Sequence, residues 1–335
     1  MSKIVIPAGY KMPLTNNQLQ RAIEFIHADF QKNLTERLDL HRVSAPLFVD
    51  GATGLNDDLN GVERPVSFDI PDVGTDGQVV HSLAKWKRLA LKRYEFKAGT
   101  GLYTDMNAIR RDEEVDNLHS VYVDQWDWEK HIRREDRNLQ YLKDTVRTIV
   151  ASICDTAEDL RKNYPALTFR PDRDVFFITT QELEDRFPDL TPNEREKAVC
   201  QKHRTVFLMQ IGGKLSSGKP HDGRAPDYDD WTLNGDILMW NPVLERNFEV
   251  SSMGIRVDEA ALDRQLALSG HDERRSLPFH KMLLNGELPQ SIGGGIGQSR
   301  LCMLLLGTCH IGEVQASLWD KDTIAACEEA GIILL

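Results

Sequence analysis

No stretch of this 335-residue chain approaches the run of about 20 apolar residues that a membrane-crossing helix requires. The apolar part of the opening MSKIVIPAGYKMP is also too short for a secretory signal. Cysteine is scarce: five residues, scattered at positions 154, 200, 302, 309 and 327, with no C-x-x-C pair. That pattern excludes a disulfide framework and fits reduced thiols in a cytoplasmic protein. Basic residues are in deficit, 41 Lys and Arg against 52 Asp and Glu, for a net charge of −11. A broad nucleic-acid surface, which relies on clustered Lys and Arg, is not expected. Repeats and low-complexity linkers are absent as well, so residues 1–335 read as one α+β domain whose partners are small molecules, with no nucleic acid and no membrane.

What is present begins with a capping box, Thr15-Asn-Asn-Gln18. Leu19, Ile23, Ile26, Phe30, Leu34 and Leu38 follow at three- and four-residue spacing, which predicts a long amphipathic helix. A short strand at 41–43 leads to Pro46, and residues 64–81 read as a Pro/Gly/Asp-rich loop. A second long helix carries Leu139, Leu142, Val146, Ile149, Ile153 and Leu160, with Pro165 just beyond its end. Segments 175–180, 205–211, 236–240 and 248–252 are rich in β-branched and aromatic residues and predict strands.

The most informative segment is Gly293-Gly294-Gly295-Ile296-Gly297-Gln298-Ser299-Arg300, followed by LCMLLL. Such glycines allow close backbone approach, and an arginine stands at the mouth of an apolar helix. Rossmann spacing needs a glycine where Gln298 stands. A second glycine segment, Gly213 to Lys219, matches P-loop spacing but continues into Pro220, where a Mg²⁺-binding Ser or Thr and a helix are required. Both nucleotide motifs are thereby rejected.

Three further segments carry candidate chemistry. Met106–Glu113 and Leu118–Glu129 predict a hairpin that sets Arg110 at the end of its first strand, where a fixed guanidinium can clamp a phosphate. The same residues also fit a solvated turn facing the acids at 112–114. Asp236 and Glu249 would lie on adjacent strands, a pair of hard oxygens suited to Mg²⁺ held with nucleotide phosphates. Arg256 could reach a substrate carboxylate, and the acids of APDYDDW (Asp227, Asp229, Asp230) read as a solvated loop with one member reaching the site. Ser82 and Lys87 in HSLAKWKR open a short helix whose N-terminus favours an anion, and the same residues fit an exposed amphipathic helix equally well.

Taken together, HSLAKWKR, GTGLYTDM, LHSVYVDQWDWE, RAPDYDDW, LNGDILMWNPVLE, SSMGIR and GGGIGQSRLCMLLL resemble the ammonia-dependent asparagine synthetases, a class II aminoacyl-tRNA synthetase-like family of aspartate–ammonia ligases. The resemblance spans about residues 16 to 320. It implies a mainly antiparallel sheet flanked by helices, and ATP-driven conversion of L-aspartate and ammonia to L-asparagine through β-aspartyl-AMP. It implies Arg110, Asp229, Glu249, Ser251, Gly295 and Arg300 at ATP, with Asp236 and Glu249 at Mg²⁺. Lys87 and Arg256 would meet the substrate α-carboxylate, Ser82 and Asp127 its α-amino group, with Ser252 also at the substrate. Gln125 would orient the reacting β-carboxylate. Asp57 would take a proton from ammonia, with Asp58 as the alternative. Pro46 matches the family's dimer motif, so a homodimer through the apolar face of residues 19–38 and the strand before Pro46 is expected.

Rival functions fare worse on the residues. A tRNA-charging relative would carry an anticodon-binding barrel ahead of a core that here begins near residue 16. A catalytically dead relative acting as a binding module would lack the phosphate arginines, and both are present. A glutamine-dependent synthetase would place a nucleophilic cysteine where Ser2 stands.

Overall fold

A computed structural model describes residues 4–57, 59 and 63–335; Asp58 lies outside them. In chain order the elements are α1 (Asn16–Leu38), β1 (Leu40–Arg42), β2 (Phe48–Asp50), β3 (Ser67–Ile70), β4 (Thr75–Val79), α2 (Ala84–Arg93), β5 (Gly101–Ile109) and β6 (Tyr122–His131). Next come α3 (Leu139–Asn163), β7 (Phe176–Thr179), α4 (Thr180–Arg186), α5 (Pro192–His203), β8 (Thr205–Met209), β9 (Asp229–Asn241) and β10 (Arg246–Arg256). The chain closes with α6 (Glu259–Ser269), α7 (Pro278–Leu284), β11 (Ser291–Gly297), α8 (Gln298–Leu306) and α9 (Lys321–Glu329).

Eight strands form one sheet in the order β1-β5-β6-β11-β10-β9-β8-β7. The β1–β5 and β7–β8 pairs at its two edges are parallel, and every pair between them is antiparallel. This is the mainly antiparallel α+β architecture expected. Its core packs α1, α3 and α8 against β6 and the strands around it, with Phe30 set 4.8 Å from Trp126 between ring centroids. No helix among the described residues is long and apolar enough to cross a membrane.

Thr15 caps α1 as its sequence predicts, its hydroxyl accepting from the Gln18 amide at 3.3 Å while Gln18 Oε1 accepts from the Thr15 amide at 2.9 Å. The apolar face of this helix has a different fate from the one expected. Leu19, Ala22, Ile26, Phe30, Leu34 and Leu38 are buried within the single chain, so that face is already occupied and is not free to join two copies. A second difference lies at 64–81. Its composition suggests loop, yet β3 and β4 pair there as a hairpin, and β2 joins β4 to complete a three-stranded sheet. Cross-strand pairing overrides composition: Gly77 lies where an added Cβ would come within 2.9 Å of the Phe68 ring.

Candidate active site

The site lies where β6, β11, β10 and β9 run side by side. Residues alternate faces along a strand, so Gln125, Asp127 and Glu129 of β6 project to one side. Each pairs with a glycine of β11: Gly297, Gly295 and Gly293 in that register. These glycines leave room for long polar side chains crossing the strand. A Cβ on Gly293 would sit 2.0 Å from Glu129 Oε2 and 2.7 Å from Arg256 Nη2. One on Gly295 would meet Gln125 Oε1 at 2.2 Å. The glycine strand is thus a floor under the functional side chains.

On that floor lies a buried ion network. Arg256 donates from Nε and Nη2 to Glu129, at 3.0 and 2.7 Å, and from Nη1 to Asp229. Beside it Lys87 pairs with Asp127 and donates to the Gly294 carbonyl at 3.0 Å. Burial pushes the Lys87 ammonium below its ordinary value, with Asp127 working to restore it. One oxygen of the pair remains open, since Asp127 Oδ2 is buried without a hydrogen-bond partner.

Adjoining this network is a cavity of about 350 Å³ whose walls include Arg110, Gln125, Arg224, Glu249, Ser252, Gly295 and Arg300. Arg110 follows β5 directly, its amide bonded to the Val121 carbonyl at 2.8 Å, and its Nε is buried without a partner. Asp112, an acid that a solvated-turn reading sets opposite Arg110, is instead held by the Arg64 amide and Nε, each at 3.0 Å. In the same cavity, Arg300 Nη1 donates to the Glu249 carbonyl at 3.2 Å. Desolvation works to raise the Glu249 carboxyl, but the charges of Arg300, Arg224 and Arg110 hold it below its ordinary value. Asp236, buried behind Arg224, is held above the carboxylate range by burial.

Asp57 sits at a second, adjacent cavity of about 250 Å³, shared with Lys85, Asp227 and Glu63; Glu63 lines both spaces. Ser82 Oγ donates to Asp57 Oδ2 at 2.9 Å, and the Leu59 amide donates to Oδ1 at 2.9 Å. Burial raises the Asp57 carboxyl, Lys85 opposes it, and Asp227 adds to the rise.

Several placements differ from the sequence reading. The APDYDDW acids are buried and paired: Asp227 with Lys85, Arg274 and His280, Asp229 with Arg256, Asp230 with Arg137. Basic side chains supplied from distant segments hold them away from solvent. Asp229, expected beside ATP, stands in the Arg256 network. Ser251, expected at ATP, does not line the cavity; a bulge between Glu249 and Ser251 interrupts the alternation of β10 there. Ser252 lines the cavity while Ser251 is buried, its hydroxyl without a partner. Ser82 meets Asp57. Two residues were missed altogether. Glu129 was legible as the next same-face position after Gln125 and Asp127; Arg224 carries no local signal.

Solved structures with this fold are asparaginyl- and aspartyl-tRNA synthetases. The Pyrococcus horikoshii asparaginyl-tRNA synthetase complexed with asparaginyl-adenylate aligns with a TM-score of 0.67 at 14% identity, over 91% of this chain and 70% of that one. The Entamoeba histolytica asparaginyl-tRNA synthetase, in complex with asparaginyl-adenylate, gives 0.62 at 14% identity, over 90% and 66%. The fold is therefore that of the class II aminoacyl-tRNA synthetases. Within that class, the chain belongs to the aspartate-ammonia ligase family, whose sequence profile matches residues 17–331. It is 58% identical over 334 residues to the aspartate–ammonia ligase of Lactobacillus johnsonii, covering 99% of each chain. A Clostridium perfringens aspartate–ammonia ligase is 58% identical over 338 residues, covering all of both.

Proposed function

We propose that this chain makes L-asparagine from L-aspartate and ammonia at the expense of ATP, as a single catalytic domain in the cytoplasm. The observation that carries the reading is a buried amino-acid clamp opening onto an arginine-walled cavity across Gln125. Aspartate carries an α-ammonium, an α-carboxylate and a β-carboxylate. The open oxygen of Asp127 suits the ammonium, and Lys87 with Arg256 suits the α-carboxylate. Asp229 and Glu129 fix the Arg256 fork in that supporting geometry. The β-carboxylate then points past Gln125 toward Arg110.

In the first step a β-carboxylate oxygen forms a bond to the α-phosphorus of ATP, and the bond to pyrophosphate breaks. Arg110 and Arg300, preorganised around the cavity, stabilise the charge that develops on the phosphates. Ser252, Gly295 and Glu249 complete the ATP wall. In the second step the ammonia nitrogen bonds to the acyl carbon and AMP leaves. The nitrogen sheds a proton to Asp57, whose raised carboxyl suits it as an acceptor. Ser82 holds Asp57 in place.

Asp236 and Glu249 fit a Mg²⁺ that arrives with the nucleotide. Asp236 Oδ1 is buried without a partner, and such an ion takes one or two carboxylates and completes its shell with phosphate and water oxygens. Bound there, it would neutralise charge on the polyphosphate. A homodimer is also proposed. Its supports are the edge position of β1 and the exposure of Leu47, Phe48 and Phe68 near Pro46.

Incubation with ATP, Mg²⁺, aspartate and ammonium should yield asparagine, AMP and pyrophosphate. Release of ADP, or equal synthesis from glutamine in ammonia-free buffer, would overturn the reading.

A further inference from the structure

A third arginine, Arg224, stands on the cavity wall without an assigned task. It comes from the loop between β8 and β9, and its side chain is only 14% exposed. Nη2 pairs with Asp236 Oδ2, Nη1 lies 3.5 Å from Asp222 Oδ2, and Nε is buried without a partner. Arg300 stands in the same relation to the other acid, with Nη1 3.7 Å from Glu249 Oε2. Each carboxylate suited to Mg²⁺ is thus matched by an arginine facing the nucleotide cavity.

That pairing closes the charge account in the absence of ligand. A metal–nucleotide complex brings a dication and a polyanion together. When the dication takes the carboxylates, Arg300 loses Glu249 and Arg224 keeps only the exposed Asp222, and a buried guanidinium left poorly paired is costly. Phosphate oxygens are its natural replacement, because the planar fork matches them. Arg110 and Arg300 are assigned to the phosphates at the reacting end, which leaves Arg224, on the same cavity wall and next to Asp236, for the rest of the polyphosphate. We infer that Arg224 is a third phosphate-binding arginine, exchanging Asp236 for β- and γ-phosphate oxygens and holding pyrophosphate as it departs. The inference rests on the ligase reading above.

The competing role is structural, with Arg224 serving only to neutralise Asp236. Calorimetric titration of ATP with Mg²⁺, pyrophosphate with Mg²⁺, and AMP into wild type, Arg224→Met and Arg224→Lys separates the two. Arg224→Met should weaken ATP and pyrophosphate by roughly ten- to hundredfold, the loss of a charge-assisted contact, and leave AMP affinity as in wild type. Arg224→Lys keeps the charge against Asp236 without the fork, and should show the same selective loss in weaker form. Should Arg224→Met fail to fold, the Lys variant carries the test. Unchanged affinities for ATP and pyrophosphate, or an equal fall for all three ligands, would overturn the assignment. Wild type that binds no ATP would instead remove the ligase reading itself.

Discussion

Arg110 presents a guanidinium whose Nε has no protein partner, on the wall of a cavity it shares with Arg300. Replacing either arginine by Ala removes a preorganised donor and should lower kcat/KM by roughly 10²–10⁴. Arg110→Lys should not restore it, because a point charge lacks the planar fork. Near wild-type turnover in the Lys variant would return Arg110 to a solvated turn. Asp57 belongs to the later step, since ammonia reacts only after the adenylate exists. Asp57→Asn should therefore keep aspartate-dependent exchange of labelled pyrophosphate into ATP while asparagine formation falls steeply. Gln125→Ala should impair the exchange itself. Loss of both activities together in Asp57→Asn would make Asp57 a substrate-binding group. Its raised carboxyl adds a pH signature: synthesis should fail as pH drops through a value above the ordinary 3.8. The base must be deprotonated to act, so the sign is fixed.

At the scale of elements, β11 is the most constrained. Gly293→Ala would drive a methyl group to within 2.0 Å of Glu129 Oε2, displacing the carboxylate that braces Arg256. Aspartate KM should rise well before ATP KM does; equal rises in steady-state titrations would show instead that the whole strand has shifted. This element also shows what was legible. Four glycines running into an arginine and an apolar helix already announce β11 and α8. Period-two spacing in β6 gives Gln125 and Asp127 a common face, and by extension Glu129. The capping box gives the start of α1. What stayed hidden depends on partners distant in sequence. Asp227 reads as a solvated acid until Lys85, Arg274 and His280 arrive around it. Residues 64–81 look like loop because their strands are held by pairing, and the bulge that interrupts the alternation of β10 before Ser251 leaves no mark in composition.

For the whole molecule, two predictions concern assembly and acid stability. Light scattering at micromolar concentration should give twice the 38.1 kDa chain mass. Phe48→Glu should shift that equilibrium toward monomer if the exposed Phe48–Phe68 pair, 5.0 Å between centroids, lies at the interface. A fully active wild-type monomer would contradict the homodimer. Acid stability turns on His310, which ties the C-terminal segment to the core. Its Nδ1 accepts from the Gly312 amide at 3.0 Å, and its ring meets Trp319 edge-on at 4.6 Å. Burial lowers it from 6.5 to about 4, against the opposing pull of Asp116 and Asp320. The folded value lies below the unfolded one, so the unfolded chain takes the proton first. The stability this His contributes is complete above 6.5 and is lost as pH falls from there toward 4. At about 1.4 kcal/mol per pH unit, the loss is on the order of 3 kcal/mol. Buried carboxyls that are raised, such as Asp57 and Asp229, act in the opposite direction as pH falls. The informative quantity is therefore the difference between wild type and His310→Gln in denaturant titrations across that window. That difference should shrink as the pH is lowered, because only wild type loses a buried neutral imidazole. A difference independent of pH would mean that His310 is protonated alike in the folded and unfolded chain, and that packing against Trp319 is its whole contribution.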